Sequence, residues 1–488
     1  MRCRMRVSFV LVALLGATAA GCGQVNERSQ ASPDALCADG PSAVDEGGET
    51  CAPADALAGT CVPVCGVRDV GVGTGYSCAV LHDGRVKCWG YNDVGTLGLG
   101  SRAVVGDEPG EMGGGLAAVD LGMGNSATAI AAGYLHVCAL LDSGAVKCWG
   151  QNHAGTLGLG DERNRGELPG QMGDALPPVD LGRGKVAVAL AAAAFSTCAV
   201  LSDGTVKCWG AGPLGIPLLD DNWHRGDEPG EMGDHLPTVD LGEGRAVVSL
   251  VAGYGHYCAL LSNSTVKCWG YNDHGQLGQG DTASRGAGER EMGSWLLPVR
   301  LGTGKTAMSI AAGGAHTCAV LNDGAVKCWG NNWSGQLGLV DEASRGDEAG
   351  EMGDDLPEVD LGPGKTAVAI VAGERHTCAL LSDGAVTCWG YNESGVLGRG
   401  RDYSVSYGAA PGEMGEGLRR VELGAGEEVT LLRTGWEHTC ARLGRGNIKC
   451  WGGNYSGELG LGDTRPRGVY RSDMGDDLPA VKLYSERW

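Results

Sequence analysis

From residue 67 onward, apolar residues come in short runs broken by Gly, Asn, Asp and Ser. One stretch shows the pattern: Met308-Ser-Ile-Ala-Ala-Gly-Gly-Ala-His316-Thr-Cys318-Ala-Val-Leu-Asn-Asp323-Gly324-Ala-Val-Lys-Cys328-Trp329-Gly330. An apolar run on each side of an Asn-Asp-Gly turn predicts a tight β-hairpin. The Gly-studded stretch from Asn331 predicts a further turn. An acidic loop follows, and Leu-Pro-Glu-Val-Asp-Leu at 356–361 predicts another short strand. The 3.6-residue period of a helix is absent throughout.

The pattern recurs. Cys-Trp-Gly stands at Cys88, Cys148, Cys208, Cys268, Cys328, Cys388 and Cys450, at five intervals of 60 and one of 62. Met-Gly recurs with the same count, from Met112 to Met474, and the two extra residues fall within Arg399 to Pro411. Several short strands per period, repeated seven times over residues 67–488, fit radial blades around an axis. No length is left for a separate catalytic domain.

Ile-Ala-Ala-Gly-x-x-His, Asp-Gly-x-Val, Trp-Gly-x-Asn and Gly-Gln-Leu-Gly resemble the regulator-of-chromosome-condensation repeat. The resemblance covers 67–488 and implies an all-β, seven-bladed β-propeller. A WD-type propeller has shorter repeats and Asp after the Trp, whereas Gly follows every repeat Trp here. Blade one lacks a preceding Leu-Pro-x-Val-Asp-Leu segment, and the chain carries one at Leu478 to Leu483. This segment is therefore expected to complete blade one and leave no open seam.

Composition changes the picture in three ways. Glycine supplies 87 of 488 residues with only 18 prolines and no Gly-X-Y period, which excludes collagen and suits a turn-rich β chain. A net charge of −21 excludes a binder of nucleic-acid backbones. Twenty cysteines point to an oxidising compartment.

The chain opens with Arg2, Arg4 and Arg6 before the apolar run Val7 to Ala17, too short to span a bilayer, which takes about 20 residues. This reads as a signal peptide. Ala19-Ala20-Gly21-Cys22 resembles the bacterial lipobox, with Ala19 where Leu is usual, and implies lipidation of Cys22 once residues 1–21 are removed. Residues 22–66 read as a stalk, disordered or stapled by two disulfides among Cys37, Cys51, Cys61 and Cys65. All three pairings remain open. The expected location is extracytoplasmic, as an envelope lipoprotein of the outer membrane or cell surface, with the membrane touched only through the anchor.

Each repeat carries two cysteines ten positions apart: Cys78/Cys88, Cys138/Cys148, Cys198/Cys208, Cys258/Cys268, Cys318/Cys328, Cys378/Cys388 and Cys440/Cys450. If the turn is type I with Gly84 as the left-handed bulge residue, Val80 faces Val86 and Cys78 faces Cys88. The pair then falls at a non-hydrogen-bonded site, where side chains come closest, within bridging reach. Seven disulfides are expected rather than a redox or metal-binding ring.

His136, His256, His316, His376 and His438 stand two before the first Cys of their blades, with Tyr76 and Ser196 in the other two. One histidine per blade is too dispersed for a metal, and no metal or other cofactor is expected. The family resemblance implies buried imidazoles bonded to a neighbouring turn's backbone. Acidic loops such as Asp227-Glu228-Glu231-Asp234 lack the alternation of a calcium loop and read as a solvated rim. Arg225-Gly-Asp227 and Arg345-Gly-Asp347 match an adhesion tripeptide only as part of that loop.

Blade three departs most, with Ala193, Ser196, Gly212-Pro-Leu-Gly-Ile-Pro217 and Asn222-Trp223-His224. A broken repeat can mark a binding patch. No catalytic motif stands outside the repeats. The sequence reads as a monomeric, non-catalytic binding or scaffold propeller whose loops engage a protein or an envelope polymer. Trp223, His224, Trp295 and Trp333 are the candidate contacts. The alternatives are the nucleotide-exchange activity of the family's founding member and a carbohydrate-binding or lyase role using the loop tryptophans.

Overall fold

The computed structural model describes residues 66–217, 223–400, 405–444 and 446–484. Cys22, the stalk cysteines and the expected leader lie outside the described residues. Seven antiparallel sheets follow one another along the chain, each of three strands in sequence order. Blade one is Val67–Val72, Tyr76–Leu81 and Val86–Gly90, and the other six repeat it. The third and sixth blades add a two-residue fourth strand, His224–Arg225 and Ser406–Tyr407. The expected all-β, seven-bladed propeller is the fold observed. The first strand of each blade lies innermost, and its end borders the axial opening through Val72, Ala132, Ala192, Ala252, Ala312 and Ala372.

The hairpin follows from its turn. Leu81 N–H donates to Arg85 O at 2.8 Å and Gly84 N–H to Leu81 O at 3.0 Å, with Gly84 left-handed at φ +84°. That register sets Val80 against Val86 and Cys78 against Cys88. All seven expected disulfides form, with Cα separations of 4.0 Å in blade one and 4.1 Å in the rest. Such short separations belong to the non-hydrogen-bonded pairs of an antiparallel ladder. The glycine after each Trp is equally required: a Cβ on Gly90 (φ +104°) would lie 2.5 Å from Gly75 O and 2.6 Å from the Tyr76 Cα.

Middle strands are buried on both faces because every blade packs between two others, so they read as unbroken apolar runs. The seven repeat tryptophans are fully buried. Six donate their indole N–H to a loop carbonyl of the preceding blade, as Trp329 does to Gln276 O at 3.0 Å and Trp89 to Glu458 O at 3.0 Å. The exception is Trp269, whose Nε1 finds no partner. Its acceptor would come from blade three, where the Gly-Pro-Leu-Gly-Ile-Pro turn replaces the usual loop.

The buried histidines correct one expectation. They bond the next blade's hydroxyl, not a turn's backbone: His136 to Thr197, His256 to Thr317 and His316 to Thr377, each at 2.9 Å, and His438 across the closure to Ser77 at 2.7 Å. Thr317 in turn donates to Gln276 O at 2.9 Å. The hydroxyl can donate and accept at once, so one side chain links an imidazole to a loop carbonyl.

The Leu-Pro-x-Val-Asp-Leu segments are not strands, which corrects a second expectation. Each makes one backbone bond to its own blade, Val119 N–H to Val86 O and Val481 N–H to Ile448 O at 2.8 Å, and wedges its Leu and Val side chains against the next blade. The terminal segment 478–483 therefore belongs to blade seven rather than completing blade one. It still closes the ring. Val481 and Leu483 pack with Val67, Leu81 and Trp89, and the Lys87 ammonium donates to Leu483 O at 2.5 Å. Lys147 donates likewise to Leu121 O at 2.9 Å. The seam thus repeats the chemistry of the other junctions.

Candidate functional site

The two ends of the propeller differ in chemistry. One end carries the hairpin tips, where Asp83, Asp142, Asp203, Asn263, Asp323 and Asp383 sit beside Gly-rich turns. Neither those tips nor the turns before each inner strand hold an aromatic residue other than His82. Ion pairs such as Lys185 with Asp203 at 2.6 Å fit a solvated surface. The other end is formed by the turn after each inner strand and the loop after each Trp-Gly, which are joined by bonds such as Gln151 N–H to Leu135 O at 2.9 Å. This end is aromatic.

At its centre the second residue after the inner strand lines the axial opening. That position holds Thr74, Tyr134, Ala194, Tyr254, Gly314, Glu374 and Trp436 in the seven blades. Backbone bonds tie the turns into a collar: Ala194 N–H to Tyr254 O at 2.9 Å, Tyr254 N–H to Gly313 O at 3.2 Å and Gly314 N–H to Gly373 O at 3.0 Å. Tyr134, Tyr254 and Trp436 come from separated blades yet meet across the axis. Their ring centroids lie 5.4 Å apart for Tyr134–Trp436, 5.6 Å for Tyr254–Trp436 and 6.3 Å for Tyr134–Tyr254. Phe195 joins at 5.7 Å from Tyr134 and 6.0 Å from Tyr254. Tilted and edge-on contacts at these distances are the preferred geometry of aromatic pairs. Together with the collar they line an open depression of about 100 Å³.

Glu374 sets the electrostatics of this mouth. Burial pushes its carboxyl up to about 7, Glu437 on the next blade adds to the rise, and Arg375 opposes it. The group therefore changes charge near neutrality beside an aromatic floor. Farther out, Tyr271 and Tyr455 are exposed, Tyr91 and Tyr391 half-buried, and Arg375 lies 5.8 Å from the centre of the Tyr391 ring. A broad, weakly charged surface of Tyr, Trp and Phe can grip a partner by contact and stacking. It supplies no nucleophile paired with a base.

The residues singled out from sequence are not gathered there as a group. Trp333 belongs to this face, at its periphery, with its ring 4.7 Å from that of His274. Trp295 lies on the acidic loop of blade four with Arg290 at 5.7 Å. Trp223 and His224 sit beside the short fourth strand of blade three. No ring contact joins the three tryptophans among the described residues. The central aromatics were missed because they stand at two variable positions of the repeat, Tyr134, Tyr254 and Trp436 at the second residue after the inner strand and Phe195 at the third. Aligning the seven copies exposes those positions directly.

The acidic loops have an internal role. Glu231 accepts from Gly226 N–H at 2.8 Å and Glu228 N–H at 3.1 Å, and Glu351 repeats the arrangement at Gly346 and Glu348. One carboxylate per loop thus fixes the turn that holds the Arg-Gly-Asp tripeptides, and Asp227 and Asp347 each turn one oxygen into the interior.

A family model described as the RCC1-like domain matches residues 117–475. The ultraviolet-B receptor UVR8 of Arabidopsis thaliana is 29% identical over 341 residues, covering 69% of this chain and 67% of the receptor. The probable E3 ubiquitin-protein ligase HERC4 of Homo sapiens is 35% identical over 222 residues, 45% of this chain but only 19% of the ligase. Among solved structures, yeast RCC1 (Prp20) bound to Kap60 superposes with a TM-score of 0.58 at 20% identity, covering 82% of this chain and 84% of that one. Human WBSCR16 gives 0.59 at 20% identity, over 78% of this chain and 92% of its own.

Proposed function

The chain belongs to the RCC1-like domain family, and from that premise we propose that it is a non-catalytic binding propeller that engages a protein partner through its aromatic axial face. The observation that carries this reading is the asymmetry of the two ends: Tyr134, Phe195, Tyr254 and Trp436 crowd one, while the other is polar, with paired charges such as Lys185 and Asp203. Tyrosine and tryptophan on a face depleted of charge mark the energetic centres of protein interfaces. Yeast RCC1 has been solved bound to Kap60, which supports a protein as the class of partner. The leader, a lipid on Cys22 and the 22–66 stalk would display this face outside the cytoplasm on a bacterial envelope, as a monomer. The net charge of −21 speaks against nucleic acid.

The test places a photo-crosslinking residue at exposed Tyr271 on the aromatic face and, separately, at exposed Asp142 on the opposite one, in cells making the full chain. A discrete protein adduct from position 271 and none from 142 is expected, and Trp436→Ala should abolish it. Adducts from 142 alone would overturn the assignment of the face. Retention by an immobilised glycan that depends on Trp333, or accelerated nucleotide release from a GTPase, would replace the protein-scaffold reading with the corresponding alternative.

A further inference from the structure

Blades two and three meet at a place where the repeat has lost its own cation. At the preceding junction, Arg102 from blade one's loop binds Glu167 from blade two's, with Nε to Oε2 at 2.8 Å, and Glu167 is almost fully buried. Sixty residues on, the same two positions hold Glu162 and Asp227. The guanidinium has been replaced by a carboxylate, and two carboxylates now face each other. In the same register, the positions of Asn164 and Asp93 are taken by His224 and His153. Four differences at one junction thus exchange a salt bridge for a constellation of metal-ligand residues.

The geometry matches that exchange. One ligand atom each from Glu162, His224 and Asp227 lies within 4.8 Å of the others, with His224 Nδ1 3.9 Å from Asp227 Oδ2. The His153 ring stands 6.3 Å from that of His224, close enough for both imidazoles to turn toward one ion. The Asp227 side chain is nine-tenths buried and presents Oδ2 to His224, while its Oδ1 turns into the interior as that of Asp347 does. Glu231 adds a third carboxyl beside it, which the Arg225 guanidinium meets at 3.8 Å. Two carboxylates and an imidazole set this close offer one cation a shared ligand set.

We infer that the loops of blades two and three hold a divalent transition-metal ion, with Glu162, His224 and Asp227 as ligands and His153 placed to complete the set. Imidazole with carboxylate favours Zn²⁺ and its first-row neighbours over Ca²⁺, which takes six or more oxygens. The site borders the aromatic face through His153, which stands in the loop after Trp149-Gly150. Its effect would be to tie the short strand His224–Arg225 to the loops of blade two.

The experiment uses the full chain without a polyhistidine tag, stripped with a chelator and titrated with Zn²⁺ against a chromophoric competitor, then with Co²⁺. One ion per chain is expected, undisplaced by excess Ca²⁺, with the visible Co²⁺ bands of nitrogen and oxygen ligation. His224→Ala and Asp227→Asn should each weaken binding at least tenfold. Glu162→Gln, at an exposed side chain that folding does not need, should do so while leaving the thermal midpoint and the seven disulfides intact. His274→Ala should change nothing. No binding, binding retained in His224→Ala, or a thiolate charge-transfer band tracing the ion to the N-terminal cysteines would overturn the site.

Discussion

Mild acid should unfold this propeller through its inter-blade histidines. Burial holds His136, His316, His376 and His438 down at about 3 and His256 at about 4, so all five stay neutral in the folded ring at pH 5. In the unfolded chain each titrates near 6.5. Between those values the unfolded state binds more protons, so stability falls as pH drops below about 6.5. At pH 5 each histidine lies about 1.5 units below its unfolded value, a loss of roughly 2 kcal/mol, or roughly 10 for five acting independently. Glu374 works the other way. Its folded value of about 7 lies above the unfolded one, so it gains stability as pH falls through 7, discounted for its solvent exposure to about 1 kcal/mol. A net loss of roughly 9 kcal/mol between pH 7.5 and 5.0 is therefore expected. The assay is guanidinium unfolding followed by tryptophan fluorescence, disulfides intact, across that range. His316→Gln, which keeps a hydrogen-bonding side chain facing Thr377 but cannot titrate, should remove about 2 kcal/mol of the acid loss. A midpoint indifferent to pH over this window, or an undiminished acid loss in His316→Gln, would refute the assignment of the imidazoles as neutral inter-blade linkers.

Two further outcomes follow from packing. Deleting residues 477–488 removes Leu478, Val481 and Leu483 from the seam, at roughly 2–3 kcal/mol each, and strips Lys87 of the Leu483 carbonyl. The whole ring should lose its cooperative melt, and an unchanged melting temperature would show that closure does not depend on this segment. Trp329→Phe breaks a bond to Gln276 O that Trp269→Phe does not have to break, so the former should cost about 1 kcal/mol more in equilibrium unfolding. Equal costs would mean that the indole bond contributes nothing.

Much of the fold was legible because a repeat forces each local choice to be made seven times. The Asp-Gly turn dictated a bulge, the bulge dictated the register, and the register placed Cys78 opposite Cys88. The Pro-containing segments misled because Leu-Pro-Glu-Val-Asp-Leu alternates like a strand. Its Pro can donate no ladder bond, and the structure uses it as a wedge carrying a single backbone bond. The histidine partners were beyond reach for a different reason. A bond from His316 to Thr377 spans 61 residues and depends on how two blades are set against each other, which no pattern within one repeat encodes. The candidate face was hidden by the search for conspicuous tryptophans. Tyr134, Tyr254 and Trp436 become a set only once the ring brings blades two, four and seven around a common axis.

The uniformity of the seventh junction has a topological consequence. Among the described residues, every disulfide is confined to one hairpin, each wedge segment bonds its own blade and packs on the next, and Gly66 N–H donates to the Tyr484 hydroxyl at 2.9 Å. The junction between the last blade and the first is built like the others. A circularly permuted polypeptide, opened at any solvent-facing hairpin tip other than its original termini and joined through the present ones, would keep the same fourteen half-cystines in the same partnerships. The architecture is cyclic in its energetics, although the backbone that encodes it is linear.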